Sequence, residues 1–292
     1  MNLRRLALAV AAPVGAFAFS VGLSSLVLLA VGTNPMEAWA EMLSYGTRLE
    51  TFVETGNRAT QLYLAGIAVA IGFRMNLFNI GVEGQYVLAA LLAASAGAAV
   101  DLPPILHVIL IMVVAMTVGS AFAGIAGYLK VSRGVHEVIS TIMLNAVALA
   151  AVGFLLRSWL LDKNDTTLNM MTPEIPPSGQ FPHLNSFVET FTREITRGRQ
   201  LWGFMLVALA VGVLFYAFLN RTRAGFDLRA TGLNPFAAEA SGVDPAATVV
   251  RTMLLSGAVA GLIGLPEVLG QAHRYDLGFT RGLGFTGIAV AL

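Results

Sequence analysis

Asn76, Asn79, Glu83 and Gln85 form the densest group of polar side chains within an apolar stretch of this sequence. At helical spacing Asn76, Asn79 and Glu83 stand at i, i+3 and i+7, which predicts that they share one face. Gly72, Gly81 and Gly84 punctuate the same stretch. A carboxylate among membrane-type segments is costly and points to function by default. Backbone broken at membrane depth survives only when it is buried in protein or lines a cavity. Discontinuous helices of this kind often frame a solute site near the midplane. A structural reading stands beside that one: the same side chains tie helices together and satisfy backbone groups that the break leaves free.

A second group opens a later apolar run: His136, Glu137, Ser140, Thr141 and Asn145. Glu137, Thr141 and Asn145 recur at i, i+4 and i+8, a polar stripe along one side of a helix. Facing inward, the stripe lines a translocation path; at the first turn, Glu137 instead complements the helix dipole. His136 reads as an interfacial residue, since no second His or Cys stands at metal spacing. A third group, Asn234, Pro235, Ala238, Glu239 and Gly242, lies in a polar connector. Thr231 or Asn234 is suited to cap a short helix with Pro235 at its first position, and Gly242 to its exit. That pattern describes either a docking element or a plain connecting loop.

Several chemistries lack their residues. A phosphate-cradling P-loop needs Gly-Lys followed by Ser or Thr, and the two lysines, Lys130 and Lys163, follow Leu129 and Asp162. If ATP drives this protein, another chain binds it. His107, His136, His183 and His273 are scattered, with neither HExxH nor GxSxG, so an intramembrane hydrolase lacks its machinery. With no cysteine there is no disulfide and no thiolate metal site. The formal net charge of +1 suggests no nucleic-acid partner.

The elements that position these groups follow from composition. The 292 residues are 56% hydrophobic and 12% charged, against about 25% charged in soluble domains. A spanning helix needs about 20 apolar residues. The apolar runs are 6–31, 59–73, 86–100, 105–129, 135–156, 201–219 and 246–265, the last stopping at Pro266, and 287–292 resembles the opening of another. The expected fold is an all-α polytopic transmembrane bundle with about seven to eight membrane segments, of which 59–85 either spans or re-enters. Gly119, Ala123 and Gly127, and likewise Gly257 and Gly261, form small-residue packing faces. Residues 1–292 read as one transmembrane domain, C-terminally truncated because the chain ends inside a rising apolar run. Arg4, Arg5, Arg74, Lys130, Arg133, Arg221, Arg223 and Arg229 gather on one side, which places the N-terminus and the 220–245 loop in the cytoplasm. The 157–200 loop then lies outside, its Arg193, Arg197 and Arg199 balanced by acids.

The stretches FRMNLFNIGVEGQ (73–85), GVHEVISTIMLN (134–145) and GLNPFAAEASGV (232–243) occur in this order. Together they resemble permease subunits of ABC importers in the branched-chain amino acid and simple-sugar superfamily. The likeness is strongest to the nucleoside branch that works with a basic-membrane-protein-type receptor. The resemblance implies a transport subunit, not an enzyme, in the bacterial cytoplasmic (inner) membrane, moving a nucleoside or a simple sugar. It implies a second permease subunit, a cytosolic ABC ATPase carrying ATP and Mg, and an extracytoplasmic substrate-binding lipoprotein, with no cofactor on this chain. Asn234 to Val243 resembles the coupling helix that docks on the ATPase. The competing class is an ion-coupled secondary transporter in which Glu83 and Glu137 titrate.

Overall fold

In lipid a single segment satisfies its own backbone only as a helix, and the apolar runs fold accordingly. The computed structural model describes residues 3–163, 169–192 and 199–292. The chain divides into two units, Met1–Phe52 and Val53–Leu292.

The first unit holds α1 (Leu3–Ala30) and α2 (Pro35–Gly46). The Asn34 side chain accepts the Met36 N–H at 3.1 Å, and Pro35 occupies the first turn, so α2 starts where a capping residue and a proline together favour it. Trp39 Nε1 donates to Ser25 Oγ at 3.0 Å and ties α2 to α1.

The second unit begins within α3 (Leu49–Phe73). This helix runs 25 residues, so the short apolar run 59–73 is the buried end of a longer element whose first turns are polar. Then follow α4 (Val82–Ala98), α5 (Pro104–Arg133), α6 (Glu137–Leu155), α7 (Asn185–Thr192), α8 (Phe204–Arg221), α9 (Arg223–Leu233), α10 (Pro235–Ala240), α11 (Pro245–Gly261), the single turn α12 (Leu265–Glu267) and α13 (Leu283–Ala291). Among the described residues there is no strand. Among the described residues five helices are long and apolar enough to cross a membrane, and α4 is a shorter apolar one of 17 residues.

α4 is the hub. A helix apolar on every side is a buried helix, and nearly every α4 residue from Val82 to Ala94 is buried. Its alanines allow neighbours to approach closely. The predicted small-residue faces meet one another: a Cβ on Gly119 of α5 would stand 2.2 Å from the Gly257 carbonyl oxygen of α11. One on Gly261 would stand 2.1 Å from that of Ala115. Backbone contact this close is the usual basis of helix association in lipid, where no hydrophobic effect drives it.

Pro266 does not end the seventh run. The helix continues from Pro245 to Ala272 by changing pitch, through a 3-10 turn at Leu262–Gly264, α12, and a π turn at Val268–Ala272. Pro266 sits in the first turn of α12, where its missing N–H costs least.

The 157–200 loop is stitched to the end of this helix and to the chain that follows it. Thr172 N–H donates to the Tyr275 carbonyl (2.9 Å), Ile175 N–H to that of His273 (2.8 Å) and Phe181 N–H to that of Leu269 (2.9 Å). Arg199 pairs with Glu54 at 2.5 Å, whereas Arg193 and Arg197 lie outside the described residues.

Candidate functional site

α3 ends at Phe73 and α4 starts at Val82, so residues 74–81 are a break and not a helical turn. The helical periodicity expected of Asn76, Asn79 and Glu83 therefore does not operate. Asn76 adopts a left-handed conformation (φ 58°) and is exposed, while Asn79 is buried. Asn tolerates that region better than most residues.

The first turn of α4 is gripped from three sides. Asn79 and Gln85 exchange two amide hydrogen bonds (2.9 and 3.0 Å), and Asn79 Nδ2 also donates to Ser256 Oγ of α11 at 2.8 Å. Ser256 in turn donates to the Ala68 carbonyl of α3 at 2.7 Å. From α6, Asn145 Oδ1 accepts the Gly84 N–H at 2.8 Å while its Nδ2 donates to the Ile80 carbonyl at 2.9 Å. Those are backbone groups that the missing helical turn leaves without partners. From the third side, Glu83 Oε1 accepts the Gly282 N–H (2.7 Å) and Oε2 the Gly284 N–H (3.0 Å) at the start of α13. The Tyr86 hydroxyl, with one proton to give, stands within hydrogen-bond reach of two acceptors, the Thr280 carbonyl at 2.9 Å and Glu83 Oε1 at 3.1 Å.

Glu83 is 3% exposed and has no ion pair among the described residues. Its charge instead faces the N-terminal ends of two helices, its own α4 and α13, where unpaired N–H groups and the helix dipole favour an anion.

The Glu137 stripe is also engaged. Glu137 pairs with Lys130 at 2.5 Å, bridging the left-handed Gly134 turn (φ 67°) that joins α5 to α6. His136 accepts the Val138 N–H at 3.3 Å as the cap of α6. Ser140 and Thr141 donate back to the Glu137 carbonyl at 3.1 and 2.7 Å. Of the stripe, Asn145 hydrogen-bonds the break, while Thr141 packs beside it, its Cβ 3.2 Å from where a Cβ on Gly81 would stand.

Of the two proposed caps, Asn234 does the work: its Oδ1 accepts the Ala237 N–H at 3.1 Å, whereas Thr231 donates within α9 to Asp227. At the other end Val243 N–H donates to the Ala238 carbonyl (3.0 Å) and Gly242 N–H to that of Glu239 (2.9 Å), with Gly242 at φ 84°. This is a Schellman closure. α10 is thus fixed at both ends and presents Phe236, 83% exposed, with Leu233 beside it at 88%. Glu239 is exposed and Ala238 is buried. α9 abuts the break itself, since a Cβ on Gly232 would lie 2.6 Å from the Arg74 carbonyl oxygen.

Residues 52–292 match the family described as the branched-chain amino acid transport system permease component. The chain belongs to that family.

Three relatives span most of the permease. The guanosine ABC transporter permease protein of Bacillus subtilis (strain 168) is 37% identical over 240 residues, 82% of this chain and 66% of its own. The nucleoside ABC transporter permease protein of Lactococcus lactis subsp. cremoris (strain MG1363) is 30% identical, over 96% of this chain and 76% of its own. The glucose ABC transporter permease protein of Haloferax volcanii is also 30% identical, over 98% and 74%. This permease therefore spans 66–76% of the length of those relatives. No solved structure matches it.

The permease also brings together residues that no motif marked. Gln61 of α3, fully buried, donates from Nε2 to Glu267 Oε2 at 3.2 Å, across 206 positions. Phe279 stands 4.9 Å from Tyr275 and 6.3 Å from Tyr86, ring centre to ring centre. Burial pushes the Tyr275 phenol well above its ordinary range, and the charges of Asp276 and Glu267 act in the same direction. In sequence these are lone polar or aromatic residues; no spacing links them, because only the irregular turns at 262–272 bring them to one place.

Proposed function

We propose that this permease is the membrane-spanning subunit of an ATP-driven importer that moves a nucleoside. The observation that carries this reading is the likeness, over most of the chain, to permeases of guanosine and nucleoside transporters. The glucose relative keeps simple sugars as the neighbouring substrate class. In this reading the protein lies in the bacterial inner membrane with its N-terminus and the 220–245 loop in the cytoplasm. It works with a second permease subunit, a cytosolic ATPase that binds ATP and Mg, and an extracytoplasmic receptor lipoprotein.

α10 is the ATPase contact, with Asn234, Pro235, Ala238, Glu239 and Gly242 shaping it and Phe236 offered outward. Closure of the ATPase pair moves α10 and α9, and Gly232 bears directly on the Arg74 carbonyl, so the motion reaches the break. Asn76, Asn79, Glu83, Gln85, Glu137, Ser140, Thr141 and Asn145 border the solute path, and of these Asn79, Glu83, Gln85 and Asn145 hold the break and the start of α4 through their hydrogen bonds. The hydrogen bonds of Glu83 to the start of α13 and the ion pair of Glu137 with Lys130 give both carboxylates structural partners, which favours this reading over the ion-coupled one.

The test is uptake by proteoliposomes holding the full-length permease, its partner permease, the ATPase and the receptor. Nucleoside accumulation that requires both receptor and internal ATP is the expected result. Uptake of sugars alone overturns the substrate, and uptake driven by an ion gradient without ATP overturns the class.

A further inference from the structure

α8, α9 and α11 border a cavity of about 210 Å³. Its walls are apolar, with Phe218 of α8, Leu228 of α9 and Leu255 of α11. Two side chains of opposite charge line the same space, Asp227 of α9, partly buried, and Arg251 of α11, exposed. Among the described residues neither forms an ion pair, with the other or with any third group. A charge beside an apolar space gains from a partner that satisfies it. Here a cation and an anion flank one small cavity, and neither has such a partner.

The cavity lies on the lipid side of the bundle. Val213, Leu214 and Tyr216 of α8, the helix that leads to it, are largely exposed, an apolar surface that lipid covers in a membrane. Arg221 and Arg223, also exposed, mark the junction of α8 and α9. Arginines near a helix end keep their heads among the lipid headgroups while their stems run along apolar surface. The cavity is therefore reached from the membrane, at the level where headgroups lie.

We propose that this cavity binds a phospholipid carrying both a phosphate and a primary ammonium, the phosphate on Arg251 and the ammonium on Asp227. The start of an acyl chain then lies against Phe218, Leu228 and Leu255. Guanidinium suits a phosphate, to which it presents two parallel N–H donors. A carboxylate accepts the N–H bonds of a primary ammonium; a quaternary ammonium has none to give. An acidic headgroup without an ammonium would satisfy Arg251 and set a second negative charge beside Asp227.

The walls of this cavity also touch the break between α3 and α4. Thr252 lines it, and its Oγ stands 3.0 Å from Met75 Sδ. Gly232, one turn beyond Leu228 on α9, bears on the Arg74 carbonyl. A lipid held between α9 and α11 thus braces the two elements that rest on residues 74 and 75. This site is independent of which solute the permease carries.

The test is lipid binding to the purified full-length permease, read by native mass spectrometry, with phosphatidylethanolamine, phosphatidylcholine and phosphatidylglycerol of identical acyl chains. The wild type should hold phosphatidylethanolamine about three- to tenfold more tightly than either of the others, the worth of one hydrogen bond. Asp227→Ala should abolish the preference over phosphatidylcholine, and Arg251→Gln should weaken all three. Neither side chain has an ion-pair partner in the fold, so both variants should melt with the wild type in the absence of added lipid. Equal binding of the three lipids by the wild type overturns the proposal, and needs no variant to fold. Tighter binding of phosphatidylglycerol overturns it too, since the ammonium would then contribute nothing. So does a preference that survives in both variants, which would place the lipid elsewhere. Displacement of the lipid by free leucine would assign the cavity to a soluble zwitterion and overturn it as well.

Discussion

The Glu83 carboxylate, in the first turn of α4, accepts the Gly282 backbone N–H at 2.7 Å, and so holds the start of a helix 199 residues further along the chain. With Gly284 as its second donor, the buried charge is balanced by amide dipoles instead of a cation. Replacing Glu83 with Gln keeps the shape but leaves one acceptor oxygen and removes the charge. The expected cost is about 1.5–3 kcal/mol, the range for a hydrogen bond to a charged group. It should appear as a lower melting temperature of the purified permease together with reduced uptake. Full stability with full transport would refute the clamp.

Asn145 satisfies both a donor and an acceptor of the break, Gly84 N–H and the Ile80 carbonyl. Asn145→Leu leaves both unpaired at about 1–3 kcal/mol each. Asn145→Asp keeps the acceptor for Gly84 but turns an oxygen towards the Ile80 carbonyl, and should be at least as destabilised. Thermal unfolding of the two variants checks this; an Asp variant as stable as wild type would mean that the Ile80 contact contributes nothing.

Close approach of α5 and α11 requires glycine at one position and not at another. A Cβ on Gly119 would collide with the Gly257 carbonyl, while one on Gly153 of α6 meets nothing within 4 Å. Gly119→Ala should therefore destabilise by about 1–3 kcal/mol or more, the cost of overpacking. Gly153→Ala should be neutral or stabilising by up to about 1 kcal/mol, from helix propensity. Expression level and melting temperature of both variants, measured side by side, decide the point.

Burial holds the imidazoles of His183 and His273 below the usual histidine range. His273 faces Glu174, whose charge opposes that shift, and His183 and Arg274, whose charges reinforce it. A depressed folded value means that the unfolded chain binds protons first as pH falls. Stability is thus fully present above about pH 6.5 and declines below it, towards the folded values. Melting temperatures measured downward from neutral pH should fall through this window. His273→Asn, which suits the left-handed backbone there (φ 52°), should flatten the decline. A slope identical to wild type would remove His273 as its source.

Much of this permease was legible before any fold was known. Hydropathy and length mark the crossing helices, because lipid forces each apolar segment to satisfy its own backbone. Asn234, Pro235 and Gly242 announce α10 because caps are local interactions, made within a few residues. Gly119 and Gly257 are visible as small-residue faces, although that they face each other is not. The tertiary structure decided the rest. Helical spacing put Asn76 beside Glu83, but the chain is not helical there, and Asn76 turns outward. Pro266 looked like a terminus, yet a change of helical pitch carries the segment on to Ala272. Where Glu83 spends its charge, and why Gln61 meets Glu267, depends on segments about 200 residues apart. Local pattern encodes which residues are helical and which are polar; the partner of a buried polar group is chosen by packing between distant segments, and no spacing along one chain records it.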